Sequence, residues 1–140
     1  MIVPAVTFVA TVNVVLVNRL KPVLVDVDIN TNNIDSWQIE KAITSKTKAI
    51  IPVHLLGQPC EMDEIMRIAK KYDLKVVEDS CEAMFVKYEG KPVGSHGDMG
   101  CYSSYLAHII STGVGGFATT DDRQAHDAMR SMIWHGRDNM

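Results

Sequence analysis

Short apolar segments of strand character alternate along this chain with longer segments whose apolar residues recur at helical spacing, and this alternation constrains the fold more than any other feature. It predicts an α/β architecture, a three-layer αβα arrangement in which a mostly parallel sheet is covered by helices on both faces. No repeat, low-complexity tract or linker interrupts the pattern.

Ile2-Val3 reads as the end of a strand and Pro4 to Thr7 as a turn. From Phe8 to Asn18 the residues Phe8, Val12, Val15 and Leu16 recur at helical spacing, although the many valines lower the intrinsic propensity. Pro22 to Val27 is a short strand, followed by an Asn-rich turn at Asn30 to Asn33. Asp35 is placed to cap a helix reaching about Ile43, with Trp37, Ile39 and Ile43 available to face the sheet. Lys48 to Val53 is the next strand, and the loop His54 to Pro59 leaves its carboxyl end, the side on which open α/β sheets bind ligands. A helix from about Met62 to Tyr72 buries Ile65, Ile68 and Ala69 and exposes Arg67, Lys70 and Lys71. Leu74 to Glu78 is a buried strand that delivers Asp79 to its end; Met99 to Ser104 and Phe117 to Thr120 are two more. Asp121 or Asp122 caps a last helix through Ile133, and the ending from Trp134 to Met140 is polar.

At 140 residues, 46% hydrophobic and 22% charged, the chain suffices for one globular domain with a sizeable core, which argues against disorder. A formal net charge of −3 with both signs interspersed provides no basic stripe, so nucleic acid is not an expected partner. The opening Met1-Ile2-Val3-Pro4 lacks the basic and long apolar regions of a signal peptide, and Val12 to Val17 is too short to cross a bilayer. A cytoplasmic protein with no membrane partner is expected. Cys60, Cys81 and Cys101 form no CxxC pattern and read as buried free thiols rather than a disulfide framework or a metal site.

Among residues able to carry chemistry, Asp79 sits where an apolar strand emerges from low dielectric, so a cationic partner there would keep it ionised. From spacing alone a helix cap or turn aspartate is the more ordinary reading. Phe8 by itself reads as a core or staple residue, Ser103 as a structural strand serine, Glu82 as a solvated turn charge and His108 as a satisfied structural histidine. Gly113, Gly115 and Gly116 permit close backbone approach but lack the spacing of a Walker or Rossmann fingerprint.

Taken together, Pro4-Ala5-Val6-Thr7-Phe8-Val9-Ala10-Thr11, Lys75-Val76-Val77-Glu78-Asp79-Ser80-Cys81-Glu82-Ala83 and Tyr102 through Gly116 resemble the DegT/StrS family. These are pyridoxal phosphate enzymes of the fold type I aspartate aminotransferase superfamily, acting mostly on nucleotide-linked keto-sugars. The resemblance implies that Asp79 binds the cofactor's pyridine nitrogen, that Ser103, five positions before His108, binds its phosphate, and that Phe8 stacks on its ring. Glu82 stands where many members have a glutamine on the ring-hydroxyl side, and a carboxylate cannot donate there unless protonated. His108 stands at the position of the lysine whose primary amine holds the cofactor covalently. Imidazole cannot make that bond, but it exchanges a proton near neutrality and suits a general base.

The histidine-bearing branch of the family includes 3-dehydratases of 4-keto-6-deoxy sugar nucleotides, which use the cofactor as pyridoxamine phosphate. The resemblance thus implies dehydration at carbon 3 with His108 as base, in polysaccharide or O-antigen sugar biosynthesis. Its partners would be a nucleotide sugar, glutamate as amino donor and a second subunit in a homodimer. An ordinary sugar-nucleotide aminotransferase and a noncatalytic relative kept for binding or assembly are the alternatives. A subgroup with an iron–sulfur cluster is set aside, because no cysteine follows Cys101. His54 is a weaker candidate for the sugar pocket; His135 and Arg137 resemble a His-Gly segment near the family's site but read first as a solvated terminal segment. The resemblance covers residues 1–140 as part of the large, cofactor-binding domain. It implies that an N-terminal phosphate-binding turn and a C-terminal small domain lie outside this chain.

Overall fold

The computed structural model describes residues 1–137; the last part of the polar ending, Asp138 to Met140, lies outside the described residues. Strand β1 (Ile2–Pro4) leads through a turn into α1 (Val9–Val17), then β2 (Val23–Val25), α2 (Ser36–Ala42) and β3 (Ala49–Ile50). Next come α3 (Met62–Lys71), β4 (Lys75–Asp79) and a small hairpin of β5 (Lys87–Tyr88) and β6 (Lys91–Pro92). The chain continues with β7 (Met99–Ser103), β8 (Gly116–Thr119) and α4 (Arg123–Ile133). Six strands form one sheet in the order β2-β1-β3-β4-β7-β8, parallel throughout except for β8, which runs antiparallel to β7.

Alternation along the strands sorts their side chains onto two faces. Ile2, Ile50 and Val76 join one cluster with Ile39 of α2 and Met62, Ile65, Ile68 and Ala69 of α3. Their sequence neighbours Val3, Ile51 and Val77 point the other way, toward Val12 and Val15 of α1. The chain leaves β1 in opposite directions, toward β2 and, later, toward β3 and β4, so the strand order reverses between β1 and β3. Ligands of open α/β sheets bind at the carboxyl edge near such a reversal.

The expected helices form within a residue or two of their predicted limits. Asp35 caps α2 by accepting from Trp37 N at 3.0 Å. Of the two candidate caps for α4, Asp122 serves, its Oδ1 accepting from Gln124 N and Ala125 N. Trp37 does not face the sheet: it is 73% exposed, because Ile39, two residues on, points into the core, and two helical steps carry a side chain to the opposite side. Ser36 is buried in its place and donates to Glu61 Oε2 ahead of α3. The strand expected from Lys48 to Val53 is shorter as a regular ladder, since Pro52 has no N–H to give, yet it continues as a bridge from Val53 to Asp79. In α1, Leu16 and Phe8 lie outward rather than in the core.

Candidate active site

In a parallel sheet all the carboxyl ends lie along one edge, and here that edge gathers the turn before α1, the His54 loop after β3, the end of β4 and the end of β7. Two adjacent acids, Glu78 and Asp79, reach this edge on β4 and by alternation project to opposite faces. Asp79 pairs in register with Cys101 of β7, so Asp79, Cys101 and, two residues further, Ser103 project to the face that carries α1.

Glu78 has no exposed surface and is fully satisfied. Its Oε2 accepts from His54 Nε2 at 3.0 Å and from Gly94 N at 2.6 Å, while Oε1 accepts from His96 N and Gly97 N, each at 2.6 Å. Cys60 N donates to His54 Nδ1 at 3.1 Å, so the ring accepts on one nitrogen and must donate to Glu78 from the other. Burial pushes the Glu78 carboxyl up, but the hydrogen bonds from His54, Gly97 and Gly94 outweigh it and hold the group below its ordinary value. This buried clamp binds the end of β4 to the loop entering β7. Sequence reasoning passed over it, although a glutamate beside an aspartate at the end of an apolar strand has to point away from it. His54, a candidate for the sugar pocket, is instead wholly buried with both ring nitrogens engaged.

Asp79 is half-buried. Thr11 Oγ1 donates to its Oδ2 at 2.8 Å, Cys81 N donates to its Oδ1 at 3.2 Å, and Thr7 Oγ1 lies 2.9 Å from Thr11 Oγ1. Among the described residues no lysine, arginine or histidine pairs with it. Phe8, at the N-cap of α1 and 72% exposed, is neither core nor staple; it presents a free ring one turn before Thr11. Ser103 Oγ accepts from Tyr105 N at 3.2 Å. The loop carrying His108 is closed at its neck by Thr112 N donating to Ser104 O, Ser104 N donating to Gly115 O and a hydroxyl contact between Ser104 and Thr112 of 2.7 Å. Gly115, at φ 148°, allows this closure, where a Cβ would come within 3.0 Å of both hydroxyls. His108 N donates to Tyr105 O in the turn within the loop.

Glu82 lies across the same edge, its Oε2 accepting from Leu56 N at 2.6 Å, which ties the loops after β3 and β4 together. Of the thiols, only Cys60 is buried as expected; Cys81 and Cys101 are half-buried beside Asp79. Burial, with the nearby Glu78 charge, pushes the Cys60 thiol up to about 12, and burial likewise raises Cys81 and Cys101, so none is poised as a nucleophile. Among the described residues no cluster of His, Cys, Asp or Glu is arranged to hold a metal. His135 and Arg137 are exposed beyond α4, and no helix of the described residues is long and apolar enough to cross a membrane.

The carboxylate and its surroundings fit a protonated pyridine. Asp79 is partly withdrawn from water, is oriented by neutral donors alone and lacks a cation of its own. The sequence profile described as the DegT/DnrJ/EryC1/StrS aminotransferase family matches residues 1–140. The chain belongs to that family. Among its relatives, GDP-perosamine synthase of Caulobacter vibrioides is 44% identical over 98% of this chain and 37% of its own length. Among solved structures, an aminotransferase from Psychrobacter cryohalolentis superposes with a TM-score of 0.95 at 41% identity, covering 97% of this chain and 35% of that one. A GDP-4-keto-6-deoxymannose-3-dehydratase with a trapped PLP-glutamate geminal diamine superposes at 0.91 with 39% identity, covering 96% of this chain and 35% of that one. The chain therefore spans about a third of the length of these family members, and the expected αβα architecture with a mostly parallel sheet is that of the family.

Proposed function

We propose that this chain is the central part of the large domain of a pyridoxal or pyridoxamine phosphate enzyme that dehydrates a nucleotide-linked 4-keto-6-deoxy sugar at carbon 3. The observation that carries the reading is His108 on the loop after β7, where the family's lysine would stand, with Asp79 and Ser103 on one face of the adjoining strands. Similarity to the 3-dehydratase supports it. In polysaccharide or O-antigen sugar biosynthesis the full protein would act as a homodimer with glutamate as amino donor.

The residues divide the work by chemistry. Asp79 would hold a positive pyridine nitrogen, and a cofactor so bound would supply an electron sink. Ser103 donates its hydroxyl to a phosphate oxygen. Phe8 covers one ring face with an apolar surface and keeps water from it. Glu82 flanks the ring-hydroxyl side, where as a carboxylate it accepts rather than donates. His108, with no covalent link to the cofactor, would accept a proton from carbon and pass it to the departing hydroxyl of carbon 3, which leaves as water.

The test uses protein expressed from the complete reading frame, supplied with pyridoxamine phosphate, glutamate and a nucleotide-linked 4-keto-6-deoxy sugar. Ammonia release together with a 3-deoxy sugar is expected. An amino sugar without ammonia would replace dehydration by transamination, the activity that similarity to GDP-perosamine synthase favours. A protein that binds no cofactor and releases no ammonia would overturn the enzymatic reading in favour of a binding or assembly role.

A further inference from the structure

We propose that Thr11, with Thr7 behind it, is the positioning residue for the Asp79 carboxylate. The inference rests on the reading of Asp79 as the cofactor's ring-nitrogen partner and adds a residue from another element to that site. Asp79 is the last residue of β4; the sheet fixes its backbone, through the bridge to Val53 on one side and the pairing with Cys101 on the other. It does not fix the rotation of the carboxylate, which needs a contact from outside the strand to keep one orientation.

Thr11 supplies that contact from a fixed place. Its side chain is buried, its backbone N donates to Phe8 O at 3.1 Å, and one turn later Val15 packs against Val3 and Ile51. A hydroxyl has one proton, and Thr11 gives it to Asp79 Oδ2. In the contact between the two threonines, Thr7 must then be the donor, so donation runs in one direction, from Thr7 to Thr11 to Asp79. The chain of hydroxyls orients the carboxylate without adding a cation that would neutralise it. Thr11 takes one acceptor site on Oδ2 and Cys81 N one on Oδ1, leaving the carboxylate's remaining lone pairs and its whole charge for a positively charged ring. Phe8 is the N-cap residue of α1, three residues before Thr11, so the start of one helix carries both the ring proposed to stack on the cofactor and the hydroxyl that orients the carboxylate.

Thr11→Val keeps the shape and deletes the donor, and Thr11→Ser restores it. In the complete protein, Thr11→Val should weaken pyridoxamine phosphate binding roughly tenfold or more, the effect of losing a hydrogen bond to a charged group, and Thr11→Ser should stay within about twofold. With cofactor labelled by nitrogen-15 in its ring, Thr11→Val should move the bound resonance toward the unprotonated form, which a purely structural threonine would not do. Thr7→Val should move it in the same direction by less, and it serves in place of Thr11→Val should that protein not fold. Loss of binding in Asp79→Asn with no change of affinity or resonance in the folded threonine variants overturns this inference alone. Unchanged binding in Asp79→Asn overturns the reading of the site beneath it.

Discussion

Beneath α2 and α3 the sheet closes over an unbroken cluster running from Ile2 to Val76, with Ile39, Met62, Ile65 and Ile68 having no exposed surface. Beneath α1 the buried apolar cluster is the smaller set Val3, Val15 and Ile51, while Val9, Val14, Leu16 and Val17 of that helix lie open. The acids at the end of β4 follow the same division. Glu78 goes to the closed face, where two loops spend their N–H groups on it; Asp79 goes to the other, where two donors hold it and one side stays free. A filled face fixes the backbone at the carboxyl edge, and the opposite face can then expose oriented polar groups to a ligand without costing the fold its anchor.

Adjacent residues put this division to the test. Ile50→Ala should cost near the top of the range of about 2–5 kcal/mol seen for such truncations, and Ile51→Ala near or below its lower end, both read by denaturant unfolding. Equal losses would mean that the two faces are equally packed. Glu78→Ala should destabilise by about 3 kcal/mol or more, since it strands His54 and three N–H groups in the interior. Asp79→Asn should change stability by less than about 1 kcal/mol and act instead on cofactor affinity.

The pH dependence of Glu78 sharpens the contrast. Its folded-state pKa is depressed, so its contribution to stability is fully present above the ordinary carboxyl value of 4.5 and is lost as pH falls through the lower folded value. Glu78→Gln should therefore flatten the acid limb of the stability profile measured by thermal unfolding. A local effect lies away from both acids. Asp35→Ala removes the cap of α2 and should cost about 1 kcal/mol with no change in cofactor binding.

Much of this arrangement was legible in the residues because local chemistry decides it. The stripe of Ile65, Ile68 and Ala69, the cap at Asp35 and the narrowing of the last cap to Asp121 or Asp122 depend on neighbours in sequence. Trp37 misled because a large apolar side chain on an amphipathic helix suggests burial, while the register set by Ile39 turns it outward. The order of strands, which alone brings Asp79 beside Cys101, depends on pairings between distant segments and left no local mark. For the site, the resemblance supplied Asp79, Ser103, Phe8, Glu82 and His108, but not the groups that hold them. Thr11 reaches Asp79 across 68 positions of sequence, and the loop held by Glu78 begins 16 residues later, so neither bond is written in spacing.

The central claim is that His108 occupies the family's lysine position within reach of a cofactor anchored by Asp79. Its most direct test is His108→Lys in the complete protein, incubated with pyridoxal phosphate, reduced with borohydride and examined by peptide mass spectrometry. The account predicts cofactor covalently attached at position 108, and loss of that adduct when Asp79→Asn is added. A protein that binds the cofactor yet yields no adduct at that position would contradict it.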